Sequence, residues 1–155
     1  MNACDVVIAT PFGKLGARYH GNAFRCIIYL PPDTPLVAPK DVLGKHFVTE
    51  IERYFDDPHY LPDLVLAPQG TAFQNRVWQG IAAIPSGRTR SYGDLAQELS
   101  SAARAVGQAC GNNPYPIVVP CHRVVARNGL GGFAHASDGW LLDAKRWLLH
   151  HERAL

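Results

Sequence analysis

The hydrophobic pattern of this chain changes its period near residue 70. Upstream of that point, residues 5–10, 14–19 and 24–30 read as short strands joined by Gly turns. Pro31-Pro32-Asp33-Thr34-Pro35 cannot be regular helix, and prolines interrupt the first 70 residues eight times. Residues 42–55 carry apolar side chains at 43, 47, 48, 51, 54 and 55, a helical period. The pattern predicts a small N-terminal α/β domain over residues 1–70, a short antiparallel sheet plus one helix, with residues 58–70 as an extended link.

Downstream, over residues 71–155, the texture is helical. Thr71 with Gln74 forms a capping-box start, and Phe73, Val77, Trp78, Ile81 and Ile84 follow at helical spacing until Pro85 stops them. After the turn Ser86-Gly87-Arg88, Ser91 with Asp94 opens a second helix carrying Leu95 and Leu99. Ser100 or Ser101 is the expected cap of a third helix over 102–110, ended by Gly111-Asn112-Asn113-Pro114. Two short helices joined by so few residues make a helix-turn-helix a reasonable reading of the C-terminal domain. The apolar run Ile117-Val118-Val119 reads as the end of a buried strand. A last helix, about 139–152, places Leu141, Ala144, Leu148 and His151 along one face. The expected class is α+β.

Composition narrows the context. Of the 155 residues, 47% are hydrophobic and 18% charged, which describes a globular protein. No run approaches the roughly 20 apolar residues a membrane helix needs, and the first residues show no basic segment followed by an apolar one. Four scattered cysteines have no disulfide-framework rhythm, so a reducing, cytoplasmic setting is expected. The net charge is only +2, but it is unevenly spread. Residues 1–70 hold six Lys/Arg against eight Asp/Glu; residues 71–155 hold nine against five, and eight of the nine are arginines. Arginine suits planar contact with phosphate and base edges, so the C-terminal half is the expected nucleic-acid-binding half.

The chemistry concentrates in Pro120-Cys121-His122-Arg123-Val124-Val125. A thiol becomes a strong nucleophile only as thiolate, which a nearby base or cation produces. Adjacent residues on a strand point to opposite faces. Cooperation between Cys121 and His122 therefore requires either a turn at Pro120 or a water that carries the proton. The third predicted helix, Ala102-Ala103-Arg104-Ala105-Val106-Gly107-Gln108-Ala109, is nearly all small side chains with one long cation. Such a face either packs tightly on a neighbouring helix or presses its backbone into a narrow minor groove.

From residue 71 to 152 the chain resembles the O6-alkylguanine-DNA alkyltransferases, also called methylated-DNA–protein-cysteine methyltransferases. Six ordered blocks carry the resemblance: Ile84-Pro85-Ser86-Gly87; Ser91-Tyr92-Gly93-Asp94-Leu95-Ala96; Ala103-Arg104-Ala105-Val106-Gly107; Asn113-Pro114 with Pro116; residues 120–125; and Lys145-Arg146-Trp147-Leu148-Leu149-His150-His151-Glu152. A weaker echo is Pro11-Phe12-Gly13-Lys14-Leu15.

The resemblance implies irreversible, stoichiometric transfer of a methyl or larger alkyl group to Cys121. The donor would be O6 of guanine in duplex DNA, with O4 of thymine as a second candidate position. His122 would take the thiol proton through a water, and Glu152 would orient His122. Asn113 would brace the turn before the active-site strand. Tyr92 would donate a proton to the leaving guanine, and Arg104 would fill the place of the extruded nucleotide. Ala103, Ala105 and Gly107 would form the DNA-facing surface, while Val124 and Phe133 would shape the substrate pocket. A monomer without cofactor is expected, with double-stranded DNA containing O6-alkylguanine as partner and no membrane. Cys4, His20 and Cys26 are conceivable zinc ligands, but their spacing fits no zinc pattern and no fourth is evident, so no metal is expected.

The chain departs from the family at Ala134-His135-Ala136-Ser137-Asp138-Gly139-Trp140-Leu141, several residues longer than usual and beside the expected pocket. Two rival classes remain. A non-catalytic alkylguanine sensor could share the fold, but such relatives lack the reactive cysteine. A Cys–His hydrolase would turn over repeatedly and need an oxyanion site, which no motif here supplies.

Overall fold

The computed structural model describes residues 4–133, 135 and 139–155. Of the longer segment named above, residues 134 and 136–138 lie outside the described residues. The chain divides into two compact units, Met1–Pro68 and Gln69–Leu155.

In the first unit, β1 (Val6–Thr10), β2 (Gly13–His20) and β3 (Ala23–Leu30) form an antiparallel sheet in the order β1-β2-β3. A two-residue loop joins β2 to β3, and Gly21 takes φ of 65°, a conformation that favours glycine. Alternation along β2 buries Leu15 and Ala17 on one face, with Val6 and Ile27 paired opposite Ala17; Phe24 is buried beyond a register shift between Arg18 and Tyr19. Helix α1 (Val42–Asp56) starts at Asp41, whose side chain accepts from the Gly44 amide, and buries Phe47, Ile51 and Tyr54. Residues 57–71 contain no helix or strand. Their start is tied down by buried Glu50, which accepts from Tyr60 Oη and from the Asp63 amide, both at 2.6 Å.

The second unit begins at a full capping box. Thr71 Oγ1 accepts from the Gln74 amide at 3.1 Å, and Gln74 Oε1 accepts from the Thr71 amide at 2.9 Å. Helix α2 (Ala72–Ala82) buries Val77, Trp78 and Ile81. Ser91 closes the two-residue strand β4 (Arg90–Ser91) and caps α3 (Tyr92–Glu98), its side chain accepting from the Asp94 amide. Helix α4 (Ala103–Gly111) follows after four residues. Its N-cap is Ala102, with no side-chain cap, so neither Ser100 nor Ser101 serves as the predicted cap. Ser100 instead takes φ of 53° in the turn. Trp78 Nε1 donates to Ala109 O at 2.9 Å, pinning α2 to α4.

Beyond α4, β5 (Val124–Val125) pairs in parallel with β4, and α5 (Trp140–His151) closes the unit. The buried face of α5 comprises Leu142, Ala144, Lys145, Leu148 and Leu149. Leu141 and His151, expected on that face, are half-buried instead. No helix among the described residues is long and apolar enough to cross a membrane.

Candidate active site

The predicted strand at residues 117–119 is absent. Val119 N donates to Tyr115 O at 2.8 Å, and Ile117 takes φ of 75°, so the apolar run is a tight turn. Prolines at 114, 116 and 120 remove ladder donors and fix φ, which defeats a strand despite the β-branched side chains. A β-branched residue at positive φ is strained. Here it is held by burial of Ile117 and by Asn113, whose Nδ2 donates to Val119 O at 2.8 Å and whose Oδ1 accepts from the Tyr115 amide at 3.0 Å. Asn113 therefore braces the turn that precedes Cys121.

At Pro120 the chain turns again, and Cys121–Arg123 form one turn of 3-10 helix. The Cys121 thiol is buried, with Asn113 Nδ2 at 3.3 Å from Sγ. Burial pushes this thiol up from its ordinary pKa, while the Asn113 hydrogen bond and the nearby Lys145 ammonium pull it back. His122 is fully buried and donates from Nε2 to Glu152 Oε2 at 2.9 Å. A carboxylate can only accept, so this bond assigns the ring proton to Nε2 and leaves the lone pair on Nδ1. Nδ1 is buried and has no hydrogen-bond partner among the described protein atoms. Burial lowers the His122 pKa more than Glu152 restores it, so the ring is neutral near pH 7.

Arg123 completes the cluster. Its Nε and Nη2 donate to the two Glu152 oxygens, both at 2.8 Å, and its Nη1 donates to Ile84 O at 2.7 Å. Lys145 is the second buried cation. Its Nζ donates to Val124 O at 2.7 Å and to Gly132 O at 2.8 Å, and lies 5.6 Å from the Tyr92 ring centre. Burial lowers its pKa to about 8. Tyr92 Oη donates to Gly132 O at 3.1 Å, and burial raises its pKa, so the phenol keeps its proton.

A cavity of about 470 Å³ opens between α4 and the 121–135 segment. Among its lining residues are Tyr92, Ala103, Arg104, Gly107, Cys121 and Phe133. Arg104 is exposed on α4. His122, Glu152 and Asn113 stand behind Cys121 rather than in the cavity. Ala105 and Val124 do not line it, and the Val124 carbonyl is already engaged by Lys145. His135, from the longer segment, does line it and packs against Gly111. Among the described residues no group of three His, Cys, Asp or Glu side chains could hold a metal ion.

Sequence reasoning gave no role at this site to three of its residues: Arg123, Lys145 and Cys110, the last read from sequence as a structural thiol and found lining the cavity. Lys145 had a readable signal, because Leu142 and Leu149 lie three and four residues away on one helical face. Arg123 had none, since its partner Glu152 is remote in sequence.

Residues 72–154 match the family model described as 6-O-methylguanine DNA methyltransferase, DNA binding domain. The chain is 42% identical over 154 residues to a methylated-DNA–protein-cysteine methyltransferase of Methanosarcina mazei, covering 94% of each chain. The fold is similar to the crystal structure of Mycobacterium tuberculosis O6-methylguanine methyltransferase, with a TM-score of 0.79 and 35% identity, over 96% of this chain and 91% of that one. A structure of the Mycobacterium tuberculosis protein in complex with DNA matches with a TM-score of 0.76 and 36% identity, over the same shares of the two chains.

Proposed function

The chain belongs to the methylated-DNA–protein-cysteine methyltransferase family, and we propose that it repairs O6-alkylguanine in duplex DNA by a single, irreversible transfer of the alkyl group to Cys121. The observation that carries this reading is the placement of the Cys121 thiol on a cavity lined by α4, with the neutral His122 and its Glu152 partner directly behind. An alkyl carbon on guanine O6 lies inside the base stack, so the nucleotide must rotate out before a thiol can reach it. Helices α3 and α4 act as a helix-turn-helix. The small side chains Ala103, Ala105 and Gly107 let α4 approach a minor groove, and Arg104 enters the space the base vacates.

The chemistry follows from the side chains present. His122 Nδ1 takes the Cys121 proton through a bridging water, and Glu152 stabilises the imidazolium that forms. The thiolate attacks the alkyl carbon; an S–C bond forms as the C–O6 bond breaks. Tyr92 gives its phenolic proton to the departing guanine, and Lys145 steadies the phenolate left behind. The product is a thioether on Cys121, and no residue of the site can hydrolyse it. Each molecule, acting as a monomer, therefore works once and needs no cofactor. Thymine O4, with a similar alkyl ether, is a second substrate position.

Intact-mass measurement after incubation with duplex carrying O6-methylguanine tests the reading. The expected result is a gain of one methyl per protein, mapped to Cys121, and no gain in Cys121→Ser with DNA binding nearly intact. Repeated turnover, or an unchanged protein that still binds the lesion, overturns it in favour of a hydrolase or a lesion sensor.

A further inference from the structure

The proposed reaction consumes one thiol, yet two line the cavity. Cys110 and Cys121 both face it and both are buried, at 7% exposure each. Asn113 is hydrogen-bonded to both residues: its amide donates to Cys110 O at 3.2 Å, and its Nδ2 lies 3.3 Å from Cys121 Sγ. The other two cysteines, Cys4 and Cys26, belong to the first unit. Cys110 has no part in the alkyl transfer described above. A thiol at that wall is a chemical liability unless it has a use, because small apolar residues would line the cavity equally well.

We propose that Cys110 is a resolving thiol for Cys121, so that attack by a hydroperoxide on the acceptor ends in a reducible Cys110–Cys121 disulfide.

The steps balance. The Cys121 thiolate attacks the peroxide oxygen; an S–O bond forms, the O–O bond breaks, and hydroxide or alkoxide leaves. Cys121 is thereby oxidised to a sulfenic acid. Cys110 then attacks the Cys121 sulfur; the S–S bond forms, the S–O bond breaks, and the departing hydroxide takes the Cys110 proton as water. A dithiol reductant returns both thiols and is itself oxidised to a disulfide.

Electrostatics orders these events. Burial and the Cys121 thiolate push the Cys110 thiol up to about 12, while the Lys145 ammonium pulls it down. Cys110 therefore keeps its proton, while Cys121 has the Asn113 hydrogen bond and the His122 base of the proposed function to help it lose one. Conversion of Cys121 to an uncharged sulfenic acid removes the repulsion and leaves the ammonium, so Cys110 ionises more easily just when it is needed. Bridging requires the two Cα atoms to come within about 7 Å. Cys110 sits in the last turn of α4, next to the terminal Gly111, where a helix yields most readily. The benefit is specific to a single-use thiol. Oxidation beyond the sulfenic acid is irreversible, whereas the disulfide preserves the molecule for later repair.

The test is a limiting dose of hydrogen peroxide on the full chain, followed by non-reducing peptide mapping and methyl uptake from alkylated duplex. The expected main product is two hydrogens lighter, joins the Cys110 and Cys121 peptides, takes up no methyl, and recovers after dithiothreitol. In Cys110→Ser and Cys110→Ala the same dose is expected to give Cys121 sulfinate, with uptake that dithiothreitol does not return to each variant's own untreated level. Equal sulfinate formation with and without Cys110, or a disulfide from Cys121 to Cys4, Cys26 or a second molecule, overturns the proposal. Methyl uptake by untreated protein reports on the proposed function separately, so the two can fail independently.

Discussion

Arg123 and Glu152 form a buried two-point ion pair, with both guanidinium–carboxylate contacts at 2.8 Å, and His122 rests on the same carboxylate at 2.9 Å. Because Arg123 already balances the carboxylate, Glu152 can orient the imidazole without pulling a permanent proton onto it. The Arg123 charge also lowers the His122 pKa directly. Removing one partner of such a pair leaves an uncompensated buried charge, at a cost of about 3–5 kcal/mol.

Arg123→Met is therefore expected to lose stability on that scale in urea unfolding. Its His122 should also titrate at a higher pH, since Glu152 then has only the imidazole to neutralise it. In the parent, burial and the Arg123 charge hold the His122 pKa below its ordinary value, so the imidazole stays neutral at neutral pH. In the variant the pH profile of methyl transfer should move its acid limb upward, and Arg123→Lys, which keeps charge but loses the fork, should fall between the two.

Lys145 gives a second, opposite signature. An unfolded lysine keeps its proton to about 10.5, while folded Lys145 releases it near 8. Between those values the unfolded chain binds more protons, so the Lys145 contribution makes stability rise with pH across that window, by about 3 kcal/mol at most. Lys145→Met should abolish this rise and be at least as stable as the parent at pH 7, because the buried charge is gone. Its Cys121 should nevertheless react more slowly with iodoacetamide at pH 7, with the rate curve displaced to higher pH. A variant that is destabilised at pH 7 with an unmoved thiol profile would make Lys145 a purely structural clamp.

The helices that position this site were legible where the signal is local. Thr71 with Gln74 and Ser91 with Asp94 each set a helix start through side chains within three residues of the backbone groups they satisfy. What failed to read was closure over distance. Ile117-Val118-Val119 has strand composition, but Asn113 and three prolines bend it into a turn, and no local pattern announces that competition. The same holds for Lys145, whose acceptors Val124 O and Gly132 O are backbone atoms brought in by the fold. The family blocks located Cys121, His122 and Glu152, whereas the ion pair and the second thiol required coordinates.

Arg104 offers a test that separates extrusion from chemistry. It is exposed on α4 and lines the cavity, and among the described residues no hydrogen bond or ion pair joins it to Asn113, His122 or Glu152. Extrusion of a paired base costs a few kcal/mol, and each 1.4 kcal/mol is tenfold in rate. Arg104→Ala should thus slow methyl transfer from duplex DNA by about tenfold or more. Transfer from free O6-alkylguanine base should change little. An equal loss on both substrates would remove Arg104 from the extrusion step.

Gly131 controls Tyr92 from outside the sequence blocks that suggested the function. It adopts φ of 76°, and a Cβ there would lie 2.9 Å from Tyr92 Cε2 and 3.1 Å from the Ala126 amide nitrogen. The backbone nitrogen cannot give way, so Gly131→Ala must either strain the loop or push the Tyr92 ring. The left-handed conformation alone costs an alanine about 1–2 kcal/mol. Tyr92 Oη is held by the carbonyl of the next residue, Gly132, at 3.1 Å, so a shifted loop also moves the phenol. Gly131→Ala is expected to lose stability by that amount and to slow methyl transfer, while iodoacetamide labelling of Cys121 stays at the parent rate. On the proposed assignment of Tyr92 to the leaving base, only the first of those two reactions should register the displacement; a matching fall in both would place the damage at Cys121 itself.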